Sequence, residues 1–106
     1  MKPRSRSRVP VDYQVSFTGD HVAGQGVLTN LALSGGEIET DFQFATGTHL
    51  CLDVRLSGAR SPIVIALAIV RWKQGDRYGV EFVRFEGNAK QQLEDMLNQR
   101  DSSPSA

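Results

Sequence analysis

The chain has 106 residues, of which 40% are hydrophobic and 23% charged, and its formal net charge is zero. These values describe one globular domain with a single modest core and no room for a second lobe. Cys51 is the only cysteine, which excludes an internal disulfide and a multi-cysteine metal site and fits a reducing compartment.

The charge is unevenly distributed. The first eight residues carry four basic side chains and no acid, whereas the remainder has 8 basic and 12 acidic residues. This pattern predicts a flexible basic arm over residues 1–8 and a local anion site, not a long polyanion track. No signal peptide is evident, and the longest apolar run, Ile63 to Val70, is too short to cross a membrane. We therefore expect a cytoplasmic protein without membrane insertion.

Alternation of apolar and polar residues, the period of a half-buried strand, recurs along the chain. It is strict from Val9 to Phe17 and from His49 to Leu56. Ile63 to Lys73 is apolar on both faces, which indicates the most enclosed strand, covered on its outer face by a helix. Six strands are predicted, at residues 9–18, 22–31, 37–42, 49–56, 63–73 and 77–85.

Glycines mark the predicted breaks between the strands. Gly19-Asp20 indicates a turn, and Gly24 with Gly26 suggests a bulge or sharp bend in the second strand. Gly35-Gly36 predicts a tight turn, because glycine enters positive φ at little steric cost.

After Gly87 the period becomes helical. Ala89, Leu93, Met96 and Leu97 fall on one face of a helix predicted over residues 88–99, and residues 100–106 are expected to be disordered. Six short strands followed by one helix predict a mainly β fold. At this point the pattern leaves open a β-barrel or a strongly curved sheet, either one covered by the terminal helix.

Three segments carry short motifs in a fixed order along the chain. Arg4-Ser5-Arg6-Ser7-Arg8 contains RxxxR just before the first predicted strand. Asn30-Leu31-Ala32-Leu33-Ser34-Gly35 is close to (D/N)xSxxG, and the segments 69–73 and 77–82 read Ile-Val-Arg-Trp-Lys and Arg-Tyr-Gly-Val-Glu-Phe. This ordered set, from Arg4 to Leu97, resembles the PilZ domain family of bacterial cyclic-di-GMP receptors. The resemblance implies a six-stranded antiparallel β-barrel with a C-terminal α-helix over residues 9–99.

The resemblance implies cyclic-di-GMP binding without catalysis or cofactor. Its motif residues here are Arg4, Arg8, Asn30 and Gly35. Secondary candidates for the site are Arg6, Ala32, Ser34 and Trp72. Ala32 stands where the family has serine; shifting the motif to use Ser34 gains one match and loses two.

These residue types suit that ligand. An arginine fork bonds two phosphate oxygens, or guanine O6 and N7 together, and its face stacks on a base. Asn30 offers an amide to a guanine edge or to an arginine, and Gly35 permits close backbone approach. We expect ligand binding to order the arm against the barrel and to present a new surface to a protein partner.

Other interpretations remain open at this point. The arginines also suit a solvated tail, and Asn30 and Gly35 a plain turn. Trp72 suits barrel packing or base stacking. His21, His49 and Cys51 show no metal or catalytic spacing. The acidic residues Glu37, Glu39 and Asp41 fit a solvated strand face.

Two alternative functions follow. A degenerate domain that lacks nucleotide binding would be a protein–protein interaction module, for example in pilus or motility regulation, and Ala32 favours it. A barrel for single-stranded nucleic acid needs exposed aromatic residues beside a basic groove, and the eight aromatic residues and zero net charge disfavour it. No nucleophile–base pair, carboxylate pair or metal cluster indicates an enzyme.

Overall fold

The computed structural model describes residues 9–55 and 62–101. Six antiparallel strands form a closed barrel in the order β1-β2-β3-β6-β5-β4, and a C-terminal helix follows. The elements are β1 Val9–Gly19, β2 Val22–Ala32, β3 Gly35–Glu39, β4 His49–Arg55, β5 Ile63–Gln74, β6 Arg77–Phe85 and α1 Ala89–Asp101. The predicted fold class is confirmed. Among the described residues, no helix is long and apolar enough to cross a membrane.

The barrel interior is filled by the inward faces predicted from strand alternation. Leu50, Leu52 and Val54 of β4 are buried, as are Val15 and Phe17 of β1.

Helix α1 packs against β5 and buries Ala89 and Leu93. It ends at Asp101, two residues beyond the predicted end. Residues 1–8 and 102–106, the predicted arm and most of the predicted tail, lie outside the described residues.

The glycines have different roles from those predicted. Gly35 and Gly36 belong to β3, and the turn consists of Leu33 and Ser34, since Ala32 pairs directly with Gly35. Glycine is needed at these positions for close approach. A Cβ on Gly35 would overlap the carbonyl oxygen of Val80 on β6. The predicted role of Gly35-Gly36 as a positive-φ turn is therefore wrong.

The predicted bulge at Gly24 and Gly26 is also wrong. Both residues pair with β1 in unbroken register, opposite Phe17 and Val15. The ring of Phe42 occupies the space that a Cβ on Gly24 would fill. The glycine permits this loop residue to cover the barrel wall.

The β1–β2 turn also differs by one residue from the turn predicted at Gly19-Asp20. It consists of Asp20 and His21, with His21 at a positive φ of 60°, and Gly19 is the last residue of β1.

Tyr78 anchors the loop that follows β3. Its fully buried hydroxyl donates to the carbonyl oxygen of Phe42 at 2.7 Å and accepts from the amide of Phe44 at 3.3 Å. Tyr78→Phe leaves both backbone groups without this partner, which we expect to cost about 1–3 kcal/mol. The thermal midpoint measured by circular dichroism should fall by roughly 5–20 °C. An unchanged midpoint would show that the hydroxyl does not stabilise the loop.

Candidate functional site

A lateral row of residues crosses the outer face of β2, β3, β6 and β5. Asn30 pairs with Glu37, Glu37 with Gly79, and Gly79 with Trp72. Residues directly opposite each other in antiparallel strands project from the same face of the sheet. The flanking residue Tyr78 is in the core, so the row projects outward. We call these four residues the Asn30–Trp72 row.

A bulge in β2 lies next to Asn30. Leu28 pairs with Ile38, but the next pair is Asn30 with Glu37, so Thr29 is the extra residue. Both Leu28 and Leu31 are fully buried. A regular strand with a period of two cannot turn two residues three apart to the same side. The bulge therefore lets Leu28 fill the core while Asn30, paired with Glu37, faces outward.

Glu37 is the centre of a small polar network. Its Oε1 accepts from Asn30 Nδ2 at 2.8 Å and from Thr29 Oγ1 at 3.0 Å. Its Oε2 lies 3.8 Å from a guanidinium nitrogen of Arg77, whose side chain is 57% exposed, against 13% for Glu37. The carboxylate is therefore held by two neutral donors on β2 and faces a cation at the solvent edge.

One polar atom of the Asn30 side chain has no hydrogen-bond partner among the described residues. Its Oδ1 is buried and accepts no hydrogen bond from any residue that the structure describes. A buried acceptor without a donor costs free energy, and such atoms in native proteins usually have a partner or a functional reason. The arrangement offers an acceptor to a donor outside residues 9–55 and 62–101.

Trp72 lies flat at the other end of the row. Its indole occupies the space that a Cβ on Gly79 would fill, and the side chain is half-buried. Gly79 therefore permits the indole to lie over β6, and the other neighbour of Gly79 in the row is Glu37 on β3. Strands are ~4.8 Å apart, so about two spacings, or ~10 Å, separate Asn30 from Gly79. Trp72 packs on the outside of the barrel and not in its core.

The β2–β3 turn lies just beyond the row. Ala32 and Gly35 are buried and Ser34 is exposed. The Ser34 carbonyl oxygen accepts from the amide of Phe82 at 2.9 Å, which fixes the turn to β6. Ala32 carries no hydrogen-bonding group at the position where the motif has serine. Ser34 and Ala32 therefore border the row without adding a described side-chain contact to it.

The amino-terminal end of β1 meets the same part of the barrel. Val9 pairs with Leu31 and Pro10 with Asn30. A concavity of ≈400 Å³ is lined by Pro10, Val11, Asp12 and Tyr13. Arg4, Arg6 and Arg8 lie outside the described residues, but the chain that bears them enters the barrel beside Asn30.

The structure thus brings Asn30 and Trp72 to one side of the barrel, together with Ser34 of the turn and its flanking residues Ala32 and Gly35. Sequence reasoning missed Glu37, Thr29 and Arg77. Glu37 was expected to be a solvated acid, and its hydrogen bonds to Asn30 and Thr29 correct that expectation. Its signal was the pairing register: a two-residue turn at Leu33-Ser34 places Glu37 directly opposite Asn30.

A separate groove of ≈550 Å³ includes Asp20, His49 and Cys51 in its lining. It lies where β1 ends and β4 begins, since Cys51 pairs with Thr18. No three His, Cys, Asp or Glu side chains are grouped as a metal site within the described ranges.

Comparison with known proteins gives the family. Two solved structures are similar: the Bacillus subtilis inhibitor of motility (MotI/DgrA), with a TM-score of 0.78 and 16% identity, and the PilZ domain of CeSA from a cellulose-synthesizing bacterium, with 0.68 and 12%. The alignments cover 100% and 90% of this chain and 55% and 98% of those chains, so this chain spans about half of the motility inhibitor. No curated protein matches the sequence. The family model for the PilZ domain matches residues 2–99, and the chain belongs to the PilZ domain family.

Proposed function

We propose that this domain is a non-enzymatic cyclic-di-GMP receptor whose ligand lies on the Asn30–Trp72 row. The observation that carries the proposal is the unpartnered Oδ1 of Asn30, beside the point where the arginine-bearing arm joins β1. A buried acceptor next to a basic segment matches the donors of an arginine guanidinium and of a guanine edge. The family and its motifs support the same ligand.

Each candidate residue has a chemical role in this proposal. Arg4 and Arg8 bond the phosphodiester oxygens or guanine O6 and N7, and Arg6 between them contributes charge. Asn30 accepts from an arginine or a guanine N–H. Trp72 presents the exposed part of its indole to a base, and such stacking contributes about 1–3 kcal/mol. Gly35 is buried against β6, and it supports the β2–β3 turn beside the row.

The proposal includes a change in the arm. Cyclic-di-GMP has two phosphate charges, so the arm's arginines bind it more favourably when they converge on it than when they are solvated. Convergence orders residues 1–8 against the barrel and creates a new surface for a protein partner in the cytoplasm. The partner is recognised by the ordered arm and the adjoining strands, and neither a nucleic-acid polymer nor a membrane takes part.

The direct test is isothermal titration calorimetry of cyclic-di-GMP into the unmodified protein. We expect saturable binding, with cyclic-di-AMP as the control, because it keeps the phosphates and changes the bases. Guanine presents O6 and N7 acceptors to an arginine fork, whereas adenine replaces O6 with a donor. Equal affinity for both nucleotides would contradict base recognition, and no heat with either would contradict the receptor function.

Ala32 provides a further prediction. Ala32→Ser restores the motif hydroxyl, which can add one neutral hydrogen bond worth about 0.5–1.5 kcal/mol. We expect roughly two- to tenfold tighter cyclic-di-GMP binding in the same calorimetric titration. Ala23→Ser is the matched control, since Ala23 is an exposed residue near the other end of β2. Unchanged or weaker affinity for Ala32→Ser would show that the hydroxyl has no role in this chain.

A second candidate is a PilZ domain that does not bind the nucleotide and acts as a protein interaction module. It is favoured by Ala32, which is 5% exposed and has no polar side-chain atom where the motif has one. Under this function both the unmodified protein and Ala32→Ser lack nucleotide binding. Val83, 48% exposed on β6, is an apolar residue available to a partner.

A further inference from the structure

The hydrogen bond between Asn30 and Glu37 fixes the orientation of an amide. Asn30 Nδ2 donates to Glu37 Oε1 at 2.8 Å. The flipped amide would place Oδ1 at that distance from the carboxylate, and two acceptors without a proton between them repel. Glu37 therefore determines which end of the Asn30 amide remains for other partners. That end is Oδ1, which is buried and accepts from no described residue.

We propose that Glu37 is a positioning residue that commits Asn30 to accept a hydrogen bond from a guanine of the nucleotide. The inference rests on the proposed function, which places the ligand on this row. Donors of the matching kind are guanine N1–H and N2–H₂. Phosphate oxygens are acceptors only and gain nothing from Oδ1. Adenine has an acceptor at N1, and its donor lies at N6, where guanine has O6, so it presents its N–H groups at a different place. Glu37 thereby contributes to base selection without contacting the base.

The same contact accounts for asparagine rather than aspartate at this motif position. The substitution Asn30→Asp would place a second carboxylate against Glu37, about 3 Å away and with no donor between the two. Like charges at this separation repel strongly, most of all where solvent screening is weak. Arg77, the cation near Glu37, is 3.8 Å from Oε2 and 57% exposed, so it neutralises one carboxylate better than two.

The two positions therefore form a coupled pair. If Glu37→Gln accompanies Asn30→Asp, the new amide donates to the new carboxylate, and the second carboxylate oxygen still faces the site as an acceptor. In the native pair and in this double variant one amide faces one carboxylate, with the donor and the acceptor exchanged between positions 30 and 37. Asn30→Asp alone leaves two carboxylates facing each other with no donor between positions 30 and 37, and only this combination is incompatible.

The experiment is a double-mutant cycle on the whole chain, with Asn30→Asp, Glu37→Gln and the double variant Asn30→Asp/Glu37→Gln. We expect Asn30→Asp to weaken cyclic-di-GMP binding about tenfold or more, and the double variant to return to within about threefold of the unmodified protein. Glu39→Gln is the matched control, because Glu39 is an exposed carboxylate on the same face of β3. Asn30→Asp/Glu39→Gln removes the same charge and should not restore binding.

Thermal unfolding of the same variants tests the pair without ligand. We expect Asn30→Asp to lower the midpoint and Glu37→Gln, but not Glu39→Gln, to restore it. Full affinity in Asn30→Asp, or equal rescue by Glu39→Gln, would overturn the positioning role while leaving cyclic-di-GMP binding intact. If the unmodified protein binds no nucleotide, the proposed function fails, and Glu37 has no ligand-positioning role; the midpoints then show whether the pair couples structurally.

Discussion

Arg8→Ala is expected to weaken cyclic-di-GMP binding by about ten- to 150-fold. A hydrogen bond to a charged group contributes about 1.5–3 kcal/mol, and a phosphodiester or a guanine edge accepts such bonds from arginine. Arg8 directly precedes Val9, whose partner Leu31 is next to Asn30, so it is the arm residue nearest in sequence to the row. Calorimetric titration of the variant measures the loss.

Two substitutions separate a specific contact from a change in net charge. Arg6→Ala removes the same charge from the same arm, and Arg55→Ala removes it from an exposed position at the end of β4. We expect Arg6→Ala to weaken binding less than Arg8→Ala, and Arg55→Ala to have no measurable effect at ordinary salt concentration. Equal losses for all three variants would contradict a built site and favour nonspecific attraction of an anion.

The second large effect concerns stability. Gly35→Val should lower the free energy of unfolding by about 3 kcal/mol or more, a large part of the 5–15 kcal/mol typical of a domain. The Cβ of this valine would overlap the Val80 carbonyl oxygen, so β3 and β6 would have to separate where Gly35 pairs with Glu81. The hydrogen bond that the Phe82 amide donates to the Ser34 carbonyl oxygen, next to Gly35, would be lost.

Circular dichroism during heating measures this effect, and we expect a midpoint lower by roughly 15 °C or more. Gly75→Asn is the control, because Gly75 has a positive φ of 64° and nothing within 4 Å of its Cβ position. Asparagine tolerates that conformation, so this variant should melt within a few degrees of the unmodified protein. A Gly35→Val protein as stable as the control would contradict the close-approach explanation.

The strands and the helix could be predicted because their patterns are local. Inward residues of β4 alternate strictly, and the helical face of α1 begins where a new period begins. The β5–β6 hairpin agrees with the predicted break between residues 73 and 77, and Gly75 in its turn has a positive φ of 64°. In these elements propensity, pattern and turn chemistry agree, which is the condition under which sequence specifies structure.

The β2–β3 hairpin could not be predicted because a glycine pair is equally suited to a positive-φ turn and to the close approach of neighbouring strands. Gly35-Gly36 resembles a positive-φ turn, but its glycines make room for the backbones of β6 and β2, a tertiary requirement. A turn centred there would pair Asn30 with Asp41 and hide the contact with Glu37. The two-residue shift thus concealed the polar network, although its residues were adjacent in the correct register.

Gly79, at the other end of the row, is a second position whose role could not be predicted from the local sequence. Nothing local distinguishes a glycine that weakens a strand from one that accommodates a side chain of the next strand. The indole of Trp72 requires the space above Gly79, and only the β5–β6 register, shifted between Val70 and Trp72, brings the two together. The motif residues were identifiable from sequence, whereas their supporting residues depended on three-dimensional pairing.

The most direct test of the account is the backbone and indole amide NMR spectrum with and without cyclic-di-GMP. We predict shifts at residues 2–8, Asn30, Gly35 and the Trp72 indole, with the arm signals changing from mobile to ordered. Signals of the groove that includes Asp20, His49 and Cys51 should stay in place. An unchanged spectrum at high ligand concentration, or shifts confined to that groove, would contradict a cyclic-di-GMP site on the Asn30–Trp72 row.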